Sequence, residues 1–271
     1  MPELPDLAFL HANGFPPECY APLFERLGAS YHIHAMPMRP LWPGQNPRDL
    51  RDWHPLADDF LNYLDDQKLS LPFIVGHSFG AITALRAALR QPQRARALVL
   101  IDPVLFEPHI IFVWKLIHAL GLAYKLHPLV AAALKRRRNF NNLDEAFKRF
   151  RRYEVFRYFS DDSLRAYLRG ITQPAAGGGY ELRYSPEWEA RIYTTGISPD
   201  MELWRGLKGF PVPTLFLRGA ETDTFSASAG RRVERSNPAI RVETIPQSTH
   251  LLAMERPEEI AQKIEQFFRD K

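Results

Sequence analysis

A serine framed by glycines, at the junction of a predicted strand and a predicted helix, constrains this chain more than any other feature. The segment Gly76 to Gly80 has the pattern Gly-x-Ser-x-Gly, with an apolar run at 71–75 before it and a helix-periodic run at 81–90 after it. A serine at such a turn is held in a strained backbone conformation that exposes its hydroxyl. The N–H groups at the start of the following helix can stabilise a developing oxyanion. We therefore predict that Ser78 is a nucleophile, the alternative being a serine that caps the helix.

Predicted strands alternate with predicted helices in both terminal parts of the chain, which favours an α/β fold. The run Ala97 to Asp102 is almost continuously apolar, as is typical of a parallel strand covered on both faces. We predict a mostly parallel central sheet of about six strands, flanked by helices. Those strands are predicted at 7–10, 31–36, 71–75, 97–102, 213–219 and 240–245.

The alternation stops between Pro103 and Gly206, where no convincing strand is found. We predict a core domain made of 1–103 and 207–271 and an inserted all-helical cap, or lid, at 104–206. A chain of 271 residues, 45% of them hydrophobic, is long enough for one large domain with such an insertion. Large apolar residues of the insertion are candidates for the lining of a substrate pocket: Phe112, Trp114, Leu116, Leu120 and Trp204.

Serine is a poor nucleophile near neutral pH unless a base takes its proton and a third group holds that base. In a parallel α/β sheet the catalytic groups lie at the carboxyl ends of strands. Asp223 and His250 follow the last two predicted strands, so we predict the triad Ser78, Asp223 and His250. Asp102 also ends a strand and is the rival for the acidic member, and Glu221 is a weaker rival. The backbone N–H of Phe79 is the predicted first oxyanion donor.

These features in this order resemble the α/β-hydrolase superfamily, in the subgroup with a serine nucleophile and a helical cap. The resemblance covers nearly the whole chain and rests on the segments 11–14, 76–80, 98–103, 218–223 and 248–252. It implies a second oxyanion donor in the loop 11–14, and we choose the backbone N–H of Asn13. Members that use an aspartate nucleophile, dehalogenases and epoxide hydrolases, are disfavoured by Ser78.

Three segments depart from the family pattern. We expect the usual N-terminal antiparallel hairpin to be missing or reduced, because only a few residues precede the first predicted strand. Ala12 stands where glycine is common in the oxyanion loop, and the loop 38–44 lacks the Asp-x-x-Gly pattern. The difference in the loop 38–44 weakens any inference of the substrate from family members, because that loop often borders the active site.

The function predicted from the residues and the resemblance is a serine hydrolase that cleaves a moderately apolar carboxylic ester through an acyl-enzyme. It requires no cofactor and no metal, and its partner is a small-molecule ester substrate. Other serine-triad chemistry stays open: C–C bond hydrolysis, thioester cleavage, lactone hydrolysis or perhydrolysis. A receptor-like or binding protein with little turnover is the alternative of another class. The oligomeric state is left open.

Positive charge is concentrated in one part of the insertion. The net charge of the chain is +4, and residues 135–169 contain 11 Lys or Arg against 5 Asp or Glu. That segment therefore carries +6 and the remainder −2. A solvated helix face is the simplest interpretation. The alternative is attraction to an anionic substrate or, with the apolar run 110–122, peripheral contact with an anionic membrane surface. No nucleic-acid-binding motif accompanies the charge, so nucleic acid is not an expected partner.

The N-terminal residues lack both a basic segment and a long apolar segment, so no signal peptide is expected. No run reaches the length of a membrane span. Cys19 is the only cysteine, which excludes an intrachain disulfide. Together these features predict a cytoplasmic protein.

Overall fold

Six parallel strands form the central sheet of the computed structural model, which describes residues 4–197 and 200–271. The prediction of a mostly parallel six-stranded sheet flanked by helices is confirmed. Met1 to Glu3, at the start of the predicted core domain, and Ser198 and Pro199, within the predicted insertion, lie outside the described residues. The strands are β1 (Asp6–Leu10), β2 (His32–Met36), β3 (Phe73–His77), β4 (Ala97–Ile101), β8 (Thr214–Gly219) and β9 (Arg241–Ile245).

The strand order is β2-β1-β3-β4-β8-β9, and every neighbouring pair is parallel. The edge strands β2 and β9 are partly exposed, whereas β3, β4 and β8 are buried throughout. In the described part of the chain no strand pairs with β2 on its outer edge. The strand that ends before Ser78 therefore lies near the middle of the sheet, between β1 and β4.

Helices cover both faces of the sheet. Along β1, Leu7 and Phe9 join one apolar cluster and Ala8 and Leu10 join the other, because successive side chains of a strand point to opposite faces. Outside the insertion the α-helices are α1 (Ala21–Leu27), α2 (His54–Asp66), α3 (Phe79–Arg90), α11 (Ala227–Ser236), α12 (Leu252–Glu255) and α13 (Pro257–Arg269). Short 3-10 helices occupy Pro17–Tyr20, Arg39–Leu41, Pro47–Asp49 and Pro92–Arg94.

The segment between β4 and β8 is mostly helical, but it is not all-helical as predicted. It contains a small antiparallel sheet in the order β5-β7-β6, formed by β5 (Asn139–Phe140), β6 (Thr172–Pro174) and β7 (Tyr180–Leu182). Strands of two or three residues are too short to show an apolar alternation, which explains why the sequence did not reveal them. The boundaries of the insertion stay a prediction. Its helices are α4 (Pro108–Ala119), α5 (Ala123–Leu126), α6 (Pro128–Leu134), α7 (Leu143–Phe150), a 3-10 turn (Glu154–Phe156), α8 (Asp161–Ile171), α9 (Pro186–Thr195) and α10 (Met201–Gly206).

Some apolar side chains predicted to line a pocket face the solvent instead. Phe112 is 72% exposed, Leu116 57% and Leu120 63%, whereas Trp114 and Trp204 are buried. None of the helices within residues 4–197 and 200–271 is long and apolar enough to cross a membrane.

Helix α8 of the insertion lies directly on the backbone of the core. A Cβ atom at Gly170 would lie 2.5 Å from the backbone nitrogen of Cys19 and 2.6 Å from its Sγ. Across another part of the boundary, the Arg157 guanidinium donates to the Glu221 carboxylate at 2.7 Å. The insertion is therefore packed against the core through a contact that only glycine permits.

We expect Gly170→Ala to lower the free energy of unfolding by about 1–3 kcal/mol, because the added methyl group displaces backbone. The matched control is Gly177→Ala, since a Cβ atom there meets nothing within 4 Å. That control should change stability by less than about 0.5 kcal/mol. Urea unfolding of the two variants measures the difference, and equal stabilities would contradict the close packing of α8 on the core.

Candidate active site

Ser78 occupies a sharp turn between β3 and α3. Its φ is 59° and its ψ is −121°, an uncommon conformation for a residue with a side chain. A Cβ atom at Gly76 would lie 2.6 Å from the Ala81 Cα, and one at Gly80 would lie 2.5 Å from the carbonyl oxygens of Leu10 and His11. Both glycines are therefore needed where the helix starts against the strands, and this packing fixes the serine at the end of the sheet.

A hydrogen-bond chain joins Ser78 to His250 and Asp102. The Ser78 Oγ lies 2.8 Å from the His250 Nε2, and the His250 Nδ1 lies 2.7 Å from the Asp102 Oδ2. A carboxylate only accepts, so Nδ1 carries the proton and Nε2 is free to accept from the serine hydroxyl. The loop before the histidine is held by Glu255, whose carboxylate accepts from the Thr249 N–H at 2.7 Å and from its hydroxyl at 2.6 Å.

Asp102 is completely buried, and three donors surround its carboxylate. The Gly219 N–H donates to Oδ1 at 3.0 Å, and the Thr222 hydroxyl donates to Oδ2 at 2.5 Å, where the histidine ring also donates. Asp102 leaves β4 with a φ of 38°, and its own N–H donates to the Leu217 carbonyl at 2.7 Å. Three hydrogen bonds of this kind hold the carboxylate in place.

The structure corrects the prediction that Asp223 is the acidic partner of His250. Asp223 is exposed, and within the described residues its carboxylate accepts only from the Thr224 hydroxyl, at 3.2 Å. Asp102, the rival named from the sequence, contacts His250 because β4 lies next to β3 and ends beside the serine. Thr222, which the sequence analysis did not single out, comes from the loop of Asp223 and supports Asp102. Glu221 of the same loop bonds to Arg157 and Tyr158, away from His250.

The loop 11–14 lies against the turn that carries Ser78, as its predicted role requires. The side chain of Asn13 is bound to the insertion: its Nδ2 donates to the Glu189 carbonyl at 3.0 Å, and its Oδ1 accepts from the Tyr184 hydroxyl at 2.8 Å. Among the described residues, neither the Asn13 N–H nor the Phe79 N–H has a hydrogen-bond partner. These two backbone donors are therefore available to a ligand.

A second buried chain of hydrogen bonds runs from this loop to His250. The Ala12 N–H donates to the Tyr20 Oη at 2.9 Å, and the Tyr20 hydroxyl lies 2.7 Å from the His77 Nδ1. The His77 Nε2 lies 2.8 Å from the backbone carbonyl of His250, to which it must donate, since a carbonyl only accepts. The hydroxyl of Tyr20 then donates to Nδ1. Tyr20 and His77 therefore connect the loop to the backbone of His250.

Burial keeps the two neighbouring histidines neutral. Loss of solvation lowers the pKa of His77 to about 3, with a smaller contribution from the charge of His250. Burial likewise lowers the pKa of His11 to about 4, and its ring bridges the Ala12 carbonyl and the Met38 N–H. Near neutral pH these rings act as fixed hydrogen-bonding groups. In the described parts of the chain, no cluster of three His, Cys, Asp or Glu side chains could hold a metal ion.

We expect Tyr20→Phe to lower the free energy of unfolding by about 1–3 kcal/mol, because it leaves the Ala12 N–H and the His77 Nδ1 buried and unpaired. The matched control is Tyr31→Phe, because the ring of Tyr31 is buried but its hydroxyl, which has no hydrogen-bond partner within the described residues, is not a buried unpaired group. Urea unfolding compares the two variants. A Tyr20 variant as stable as the Tyr31 variant would show that the chain through His77 contributes nothing.

Comparison with known proteins gives a consistent family assignment. A 2-(acetamidomethylene)succinate hydrolase of Mesorhizobium japonicum is 25% identical over 257 residues, covering 94% of this chain and 84% of that protein. The crystal structure of an E-2-(acetamidomethylene)succinate hydrolase superposes with a TM-score of 0.77 at 20% identity, covering 98% of this chain and 92% of the other. The thioesterase domain from the curacin biosynthetic pathway gives a TM-score of 0.75 at 16% identity, with the same coverage of 98% and 92%.

The two structural likenesses show the shared fold. The family is shown by a sequence model of the Alpha/beta hydrolase family, which matches residues 7–263 and so spans the sheet, the insertion and the loop of His250. The chain therefore belongs to the α/β-hydrolase family.

Proposed function

We propose that this hydrolase cleaves a carboxylic ester through an acyl-enzyme intermediate, with Ser78, His250 and Asp102 as its triad. One observation supports the proposal above the others. The Ser78 Oγ and the Asp102 carboxylate lie at hydrogen-bond distance from opposite nitrogens of His250, at 2.8 Å and 2.7 Å. This is the arrangement in which a neutral imidazole takes a proton from serine and a carboxylate stabilises the resulting imidazolium.

In the first half-reaction the Ser78 Oγ attacks the carbonyl carbon of the ester while His250 Nε2 takes the hydroxyl proton. The carbonyl oxygen becomes an oxyanion, which the backbone N–H groups of Asn13 and Phe79 stabilise. The carbonyl forms again as the bond to the alkoxy group breaks, and His250 gives its proton to the leaving alcohol. Asp102 stays ionised and fixes the tautomer of the ring.

In the second half-reaction water replaces the alcohol. His250 takes a proton from the water, whose oxygen attacks the acyl carbon, and the same two N–H groups stabilise the second oxyanion. Collapse of this intermediate breaks the bond to Ser78 and releases the carboxylic acid, and His250 returns the proton to Ser78. Every proton moves between His250 and an oxygen atom, so the cycle needs no metal or organic cofactor.

A second candidate substrate class comes from the Mesorhizobium relative. Its name describes hydrolysis of 2-(acetamidomethylene)succinate, a dicarboxylate that carries an amide, and it matches 94% of this chain. The same triad and oxyanion donors apply to an amide carbonyl. A panel of acyl esters of graded chain length, an anionic thioester and 2-(acetamidomethylene)succinate separates the two candidates. A chain-length optimum among neutral esters supports the first, and turnover confined to the dicarboxylate supports the second.

We expect Ser78→Ala to reduce kcat on any accepted substrate by at least about 10⁴-fold, because the nucleophile is removed. A fluorophosphonate probe should label the native protein and fail to label this variant. The matched control is Ser70→Ala, which changes an exposed serine and should leave both readouts unchanged. Retained turnover in Ser78→Ala would contradict the mechanism, and probe labelling without turnover on the whole panel would favour a receptor-like protein.

The acidic member of the triad is tested by Asp102→Asn and Asp223→Asn, two substitutions of identical size. We expect Asp102→Asn to reduce kcat by about 10³–10⁴-fold, because an amide can hold the ring in the wrong tautomer. Asp223→Asn should leave kcat within about twofold, because Asp223 is exposed and, within the described residues, its side chain bonds only to the neighbouring Thr224. Steady-state hydrolysis of the best ester of the panel measures both. A larger loss in Asp223→Asn would restore the assignment made from sequence.

A further inference from the structure

The insertion carries an apolar surface that no other described part of the chain covers. It is formed by side chains of α4 and of the segment after it, each 48–72% exposed: Phe112, Val113, Leu116, Leu120, Leu126 and Leu129. On the opposite side of these helices, Ile111, Trp114 and Val130 are buried against the rest of the protein. The inner side of these helices therefore packs against the rest of the protein, and the apolar surface is a separate face that points outward.

The charge of this segment is of one sign. Between Glu107 and Asp144 the sequence contains six Lys or Arg and no Asp or Glu. Glu187 and Glu189 pair with Arg138 and Arg136, but Lys115, Lys125 and Lys135 form no ion pair among the described residues. Free ammonium groups thus accompany the exposed apolar side chains along the same helices.

We propose that the apolar surface docks on an anionic lipid membrane. Helices that lie in a membrane interface combine an apolar face, buried in the headgroup boundary, with Lys or Arg beside it that meet anionic headgroups. Helix α4 has 12 residues and is about 18 Å long, so it lies along the interface and does not cross it. Docking through this surface would determine where the protein is held, and it does not depend on which bond the protein cleaves.

The charge pattern favours a lipid surface over a second copy of the chain. A two-fold dimer through this face would place the same patch opposite itself. The lysines of one copy would then meet the lysines of the other, with no acidic residue of the segment 108–143 to neutralise them. Anionic headgroups supply the missing negative charge over the whole patch.

The test is flotation of the full-length protein with vesicles of equal parts phosphatidylglycerol and phosphatidylcholine, and with vesicles of phosphatidylcholine alone. We expect binding to the anionic vesicles that weakens as salt is added, and much weaker binding to the neutral ones. Absence of binding to the anionic vesicles, or equal binding to both kinds, would overturn the proposal.

Two variants, each with a control, assign the binding to this surface. Phe112→Gln should weaken binding at least about tenfold, because one large apolar side chain no longer enters the interface. Its control is Leu71→Gln, which changes an apolar side chain that is 51% exposed outside the insertion. Lys115→Glu should weaken binding at least about fivefold, and its control is Lys208→Glu, another exposed lysine.

Thermal unfolding of the four variants confirms that each is folded. Equal losses in a variant and its control would place the binding elsewhere on the protein and overturn the assignment. Sedimentation velocity without vesicles tests the other possible occupant of the apolar surface, a second copy of the chain. A dimer that dissociates in Phe112→Gln would show that a second copy covers the surface, and would also overturn the proposal.

Discussion

The close approach of α3 to the ends of β1 and β3 is the constraint on which the site depends. Gly76 and Gly80 have no Cβ atom, so the first turn of the helix rests on strand backbone. This contact forces Ser78 into its positive φ and brings the start of α3 against the loop that follows β1. The nucleophile and both proposed oxyanion donors are therefore placed by backbone packing. Side-chain rotamers contribute little to their relative positions.

The acid and the base are placed by a different part of the sheet. Asp102 leaves β4, while Gly219 and Thr222, which donate to its carboxylate, come from the end of β8 and the loop after it. His250 follows β9 and is bound on both sides, through its ring to Asp102 and through its carbonyl to His77. Three neighbouring strands thus converge on one imidazole, and each supplies a group that the sequence separates by many residues.

Much of this arrangement was predictable, because apolar runs indicate buried strands and the Gly-x-Ser-x-Gly pattern indicates the turn that carries Ser78. Ser78 and His250 followed from their positions at strand ends. The choice between Asp223 and Asp102 did not, because both follow strands, and only the packing of β4 against β3 decides between them. The short strands β5 to β7 and the outward face of Phe112 and Leu116 also escaped prediction. Their placement depends on contacts between distant parts of the insertion, and the periodicity of the local sequence does not reveal such contacts.

The side chain of Asn13 is held by two groups of the insertion, the Glu189 carbonyl and the Tyr184 hydroxyl. The insertion, which would select the substrate, is thereby hydrogen-bonded to a residue whose backbone N–H is proposed to stabilise the oxyanion. Exchange of the insertion for that of a relative would consequently alter turnover along with substrate preference. Substrate specificity and turnover rate would therefore change together. A chimaera would need Asn13, Tyr184 and Glu189 to be transferred as one unit.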